Sequence, residues 1–231
     1  MTNFTNQQKS IFLPMMREIT FGMEDGMVST LGAVVGIAIG SASQTTVVLA
    51  GAIIIAVESI SMGIGSYIAN SSQENITKAK IKEEKSQLKT QPQREKRELL
   101  NFFVADGWPK TLAQKMTKAA VRNKNLMFKE MGYRELRLPN QTKNLPVKNA
   151  FGMFLSYIFG GSIPLVAYFF LPINLAIPIS IVVTLIGLFA LGIYTSLFTK
   201  DNWFKAGLRI LLLGGVALLV GLGIGNLFKN P

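Results

Sequence analysis

The sequence of 231 residues contains no cysteine and no histidine. Without cysteine there can be no disulfide, thiolate metal site or cysteine nucleophile. Without histidine the chain lacks the commonest metal ligand and the usual proton shuttle near neutral pH, which disfavours zinc hydrolase chemistry. Any metal site must be built from Asp, Glu, Met, backbone carbonyls or water, and any proton coupling must run through carboxylates. Acids are themselves scarce: 13 Asp and Glu stand against 24 Lys and Arg, and none lies between Ala150 and Lys200.

The apolar residues are gathered into blocks of about 20, enough for a helix to cross a hydrocarbon core of about 30 Å. Spans are expected over Ile19–Ser41, Val47–Ala69, Ala150–Leu171, Pro178–Phe198 and Ala206–Phe228. The fold class is therefore all-α: a polytopic membrane protein with five transmembrane helices and a small helical cytoplasmic module between spans two and three. Its divisions are a lead-in at 1–16, a first transmembrane hairpin at 17–71, the module at 72–148 and the last three spans at 149–231. The apolar run from Ile11 to Leu13 is too short for a signal peptide, so an uncleaved chain is expected. Gly160-Gly161 and Pro164 read as a kink in span three, and the uncharged stretch Pro172 to Pro178 as the return to span four.

The formal charge is +11, and its location identifies the partner. Between Asn70 and Ala150 lie 18 of the 24 basic residues and 8 of the 13 acids, which leaves +10 in this one segment. Basic loops stay in the cytoplasm, so the N-terminus is expected inside and the C-terminus outside. Lys200, Lys205 and Arg209 agree with that orientation. Anionic membrane lipids are the simplest partner for the charge. Nucleic acid is not expected, because the loop carries no recognised motif and no aromatic platform.

Three carboxylates within the two spans of the first hairpin, Glu24, Asp25 and Glu58, need a reason, since a charged side chain near the bilayer centre costs roughly 2.5–3.5 kcal/mol. Folding the hairpin about Gln44 sets Asp25 level with position 63, beside Met62, and puts Glu58 about one turn farther from the cytoplasmic end. Glu58 and Met62 share a helix face. Hard carboxylate oxygens from Asp25 and Glu58 with a soft thioether suit a borderline ion such as Fe²⁺ better than Mg²⁺ or Ca²⁺. Ser61 and Gly65 are small enough to leave a watery passage beside Met62. Glu24 either lines the same path or caps the helix and pairs with Arg17, an alternative open to Asp25 too. Glu58, expected to be buried, is the candidate for proton coupling, or else a neutral acid bonded to a neighbouring serine. Gly32, Gly36 and Gly40 form a strip for close helix approach, within the subunit or across a dimer axis. Met153, Tyr157 and Tyr168 read as packing residues.

In the module, helices are expected over about Gln93–Ala105, Thr111–Arg122 and Leu126–Glu135, with a linker at Leu138–Lys148. Glu84 and Glu95 are 11 residues apart, a step that nearly restores helical phase, although Pro92 interrupts any single helix. The plain alternative is that Glu83, Glu84, Glu95 and Glu98 form a solvated face paired with Lys80, Lys82, Lys85, Arg94 and Arg97.

Phe21-Gly22-Met23-Glu24-Asp25-Gly26-Met27-Val28-Ser29-Thr30-Leu31-Gly32, then Ser61-Met62, Gly65 and Tyr67, Ser71-Ser72-Gln73 and Asn202-Trp203-Phe204-Lys205-Ala206-Gly207-Leu208-Arg209, resemble the vacuolar iron transporter family over nearly the whole chain. The resemblance implies a five-span homodimer that exports Fe²⁺ from the cytosol in exchange for protons, with ligands matching Asp25 and Met62. It also implies a metal-collecting cytoplasmic module, for which Glu84, Glu95, Glu98, Met127 and Glu130 match. Two departures stand out: Gly65-Ser66-Tyr67 replaces the Gly-Glu-Tyr of many members, and Gln87 takes an acid position.

The expected activity is secondary transport by a protein that is not an enzyme and holds no permanent cofactor, with Fe²⁺ as substrate and Mn²⁺ as second candidate. The alternative from another class is a non-transporting membrane scaffold or assembly factor with a basic lipid- or protein-binding module. A bacterial plasma membrane is expected from the compact chain with no sorting extension.

Overall fold

The computed structural model describes residues 6–134 and 145–229, with no strand among them. Eight helices follow in order: α1 (Asn6–Ser41), α2 (Gln44–Thr90), α3 (Pro92–Ala105), α4 (Lys110–Arg122), α5 (Lys124–Arg134), α6 (Leu145–Phe170), α7 (Ile173–Thr199) and α8 (Trp203–Leu227). Five of these, α1, α2, α6, α7 and α8, are long and apolar enough to cross a membrane. At 47 residues α2 is about 70 Å long, more than twice the hydrocarbon thickness. The chain divides into two compact units, residues 1–68 with 144–231 and residues 69–143.

In the first unit α1 is packed on both sides through glycine. A Cβ on Gly32 would lie 2.9 Å from the Ala217 carbonyl oxygen of α8, and one on Gly36 would lie 2.8 Å from that of Gly221. The glycine strip of the first span thus meets α8 of its own subunit, which settles one of the two alternatives open for it. Toward α6, a Cβ on Gly26 would lie 2.5 Å from the Tyr157 carbonyl oxygen. Gly161 likewise faces Thr30 and Ile55 at 2.9 Å. Helix α6 is continuous through Gly160-Gly161 and Pro164, and the glycine pair serves close approach to α1.

The helix ends explain the other differences from expectation. Helix α1 already begins at Asn6, upstream of the expected lead-in boundary. The α1–α2 turn is only Ala42-Ser43, with Ala42 in the left-handed region at φ 51°. Ser43 caps α2, its hydroxyl oxygen accepting from the Thr46 amide at 3.3 Å. Pro172 stands at the start of α7, which therefore begins at Ile173, and Pro178 falls inside the helix. Asn202 caps α8 by accepting from the amides of Phe204 and Lys205. Two cores fill the unit: Val34, Val47, Ile55, Leu165 and Tyr168 in one, Met27, Leu188, Leu191 and Ile210 in the other.

The second unit packs α3, α4 and α5 around Leu99, Phe103, Ala113, Ala120, Met127 and Met131, with Leu88 of α2 against them. Pro92 occupies the first turn of α3, where its missing N–H costs nothing. Gly107, at φ 92°, makes the turn into α4. The part of the expected linker at 138–144 lies outside the described residues, and 145–148 is already the first turn of α6.

Replacing Gly221 by Leu places a branched side chain against the Gly32 backbone and is expected to cost at least about 1–3 kcal/mol. Gly223→Ala, with open space around it, is expected to be neutral. Thermal unfolding of both variants in detergent, followed by tryptophan fluorescence, checks this pair.

Candidate functional site

The position of the turn sets which residues meet. A chain folded between Ala42 and Ser43, not about Gln44, places Asp25 level with Ile60, between Glu58 and Met62. Two contacts support that register. A Cβ on Gly51 would touch Val34 at 3.0 Å, and the Ser66 hydroxyl donates to the Glu18 carboxylate at 2.8 Å. The register read from the sequence was one turn off because Ser43 starts α2 earlier than the polar link suggested.

Asp25 is half-buried on α1, about 25 Å along the helix from the turn. Its carboxylate and that of Glu58 are near enough for their charges to interact. Glu58 is exposed on the outer face of α2, not buried as expected, and accepts no hydrogen bond from the neighbouring Ser59, which donates to the Ala56 carbonyl. Met62 is half-buried one turn along the same stripe, and Ser61 and Gly65 are exposed beside it. Arg17 pairs with Glu18 at 2.6 Å, which removes the reading of Asp25 as its ion-pair partner. Glu24 is half-buried and lies within electrostatic reach of both Asp25 and Arg209 on α8.

Two residues join this set that sequence reasoning did not single out. Tyr157, expected as packing, is fully buried, and its hydroxyl lies 2.7 Å from that of Ser29. Ser29 has one hydrogen and donates it to the Asp25 carbonyl at 2.7 Å, so Tyr157 donates to Ser29. Tyr157 thereby braces the α1 backbone at Asp25 from a span that carries no acid. Glu18 is 5% exposed, held by Arg17 and Ser66. It lies seven residues before Asp25 on one face of α1, and Ser66 extends the Glu58–Met62 stripe of α2. Glu18 supplies a carboxylate at the level of Ser66. A correct register would have found it, since the turn brings position 18 to within one residue of level with 66.

In the second unit Glu84 and Glu95 are 2% and 1% exposed, and Glu98 and Glu130 half-buried. The solvated-face alternative fails for Glu84 and Glu95. It holds for Glu83, which is exposed and accepts from Gln87. Lys85 lies over the Phe128 ring at 5.0 Å. Met127 is part of the apolar core. Among the described residues no three acids come together as a metal-holding group, so an ion there would draw on thioether or backbone oxygen as well.

Comparison with known proteins adds relatives of full length. The chain is 26% identical to vacuolar iron transporter 1 of Eucalyptus grandis over 216 residues, 93% of this chain and 87% of that protein. It is 28% identical to the vacuolar iron transporter of Plasmodium falciparum, over 93% of this chain and 82% of that one. With vacuolar iron transporter 1 of Arabidopsis thaliana it shares 27% identity over 87% of this chain and 81% of that one. A family model described as the VIT family matches residues 16–226, and on that match the chain belongs to the VIT family.

Proposed function

We propose that this protein carries Fe²⁺ out of the cytosol across a membrane in exchange for protons, with Asp25 and Met62 as its ligands in the membrane. The observation that carries the reading is that Asp25 on α1 lies within electrostatic reach of Glu58 on α2, one turn from Met62, in a chain of this family. Glu18 takes the incoming ion at the end of the stripe far from the turn. The ion sheds part of its water shell, passes to Met62, and is held by carboxylate oxygen and thioether. Protons arriving from the opposite side compete for the same carboxylates and release it. Glu58 couples the two flows. No bond is made or broken, so the protein is a carrier and not an enzyme. Mn²⁺ is the second substrate such a set accepts.

The outer face of α2 supports a homodimer. Glu58, Ser61 and Gly65 are exposed on the single chain among Ile53, Val57, Ile60 and Ile64, each more than half exposed. A carboxylate facing lipid costs roughly 2.5–3.5 kcal/mol, and a second copy over this face removes that cost and closes the path. The N-terminus and residues 69–143 lie on the cytosolic side by their charge. There Glu84 and Glu95, with Glu98, Met127 and Glu130, gather metal for export.

The test is Fe²⁺ and Mn²⁺ uptake into proteoliposomes under an imposed pH gradient. Asp25→Ala and Met62→Ala are each expected to cut gradient-driven flux by at least about tenfold, the equivalent of one lost ligand contact of ~1.4 kcal/mol or more. Unchanged flux in both variants rules the site out, and no flux from folded wild-type protein favours a scaffold. Glu18→Gln keeps the acceptor for Ser66 and removes only the charge. It is expected to raise the apparent KM for Fe²⁺ by about tenfold with the maximal rate little changed. A fall in maximal rate alone would make Glu18 a brace and not an entry group. In equilibrium dialysis of the full chain, the double change Glu84→Gln and Glu95→Gln is expected to lower the number of bound Fe²⁺ ions while Glu83→Gln leaves it unchanged.

A further inference from the structure

A cleft of about 390 Å³ opens between α3 and α4 in the second unit. Lys96 and Arg97 line it from α3 and Lys118 from α4, with Gln93, Gln114 and Thr117 between them and Leu100 at one side. No carboxylate lines it. Of the two acids of α3, Glu95 is turned into the core, and α4 carries Lys110, Lys115, Lys118 and Arg122 with no acid at all. Among the described residues none of the three lining cations forms an ion pair.

Cations on two packed helices repel, and a merely solvated arrangement spreads them over diverging faces. Here three converge on one concavity, which focuses their positive potential on whatever enters. The polar groups suit an anion that also carries hydroxyls. Arg97 Nε donates to the Gln93 carbonyl at 3.4 Å, which tethers the guanidinium and leaves its terminal N–H groups to the cleft. Buried Thr117 donates to the Ala113 carbonyl at 2.8 Å, so its oxygen can only accept. Leu100 adds an apolar wall for a ring or glycerol carbon. The volume lies in the range of small-molecule sites.

We infer that the α3–α4 cleft binds a phosphomonoester, carried either by a soluble sugar phosphate or by a lipid headgroup, with Lys96, Arg97 and Lys118 on the phosphate and Thr117 accepting from a hydroxyl. The site is separate from the acids assigned to metal, and its occupancy does not depend on transport.

The test uses the full chain, free of metal, in phosphatidylcholine nanodiscs, with lysine acetylation read residue by residue by mass spectrometry. In one arm glucose 6-phosphate is added, with glucose as control; in the other, part of the phosphatidylcholine is replaced by phosphatidate. Lys96 and Lys118 are expected to lose reactivity several-fold while Lys115, on the same helix but outside the cleft, keeps it. Protection in the first arm alone assigns a soluble ligand, and in the second alone a lipid headgroup. Arg97→Ala is expected to weaken the protecting ligand by about tenfold. Equal protection of Lys115, protection by glucose itself, or no protection in either arm overturns the site. Since no iron is present, these outcomes are independent of the flux measurements.

Discussion

Helix α1 can lie where it does only because its neighbours meet it backbone to backbone. Gly32 and Gly36 abut α8, and Gly22 and Gly26 abut α6, at separations that leave no room for a Cβ. In a bilayer the lipid tails are as apolar as the side chains, so helices gain little from hydrophobic contact and depend on close van der Waals packing. That packing fixes the rotation of α1 and hence the direction of Glu18, Glu24 and Asp25. The same contact brings Tyr157 to Ser29 and lets α6 brace the backbone at Asp25.

The second determinant is the turn. Two residues, one of them a left-handed alanine, join α1 to α2, and the Ser43 cap leaves no slack in the register. Along the two helices Glu18 accepts from Ser66, Asp25 lies within electrostatic reach of Glu58, and Met62 falls between these levels on α2. Charged groups in a membrane are tolerated where they serve one another or an ion. Here Glu18 is satisfied by Arg17 and Ser66 within the chain, while Glu58 remains on the open face of α2. The contrast is between a carboxylate held by partners within the chain and one left exposed on the single chain.

The second unit separates two kinds of charge. Its acids Glu84 and Glu95 are drawn into the interior beside a methionine-containing core, and its lysines and arginines are left on the surface. The strong positive charge of the segment is therefore a property of its outside. In the α3–α4 cleft three cations stand among neutral side chains with no carboxylate.

The sequence by itself determined the all-helical class, the five apolar spans and the acids and methionine of the first hairpin, because these rest on composition and on the fixed rise of a helix. It indicated the family through one long motif. It did not reveal the exact level of Asp25, since the uncharged link between Ser41 and Val47 hides which two residues form the turn and only the cap hydrogen bond decides. It left the partner of the glycine strip open between α8 and a second copy, because a small-residue stripe specifies close approach without naming what approaches. Tyr157 and Glu18 were illegible for the same reason: their partners lie on other helices, 128 and 48 residues away, and only tertiary packing brings those distances to a hydrogen bond.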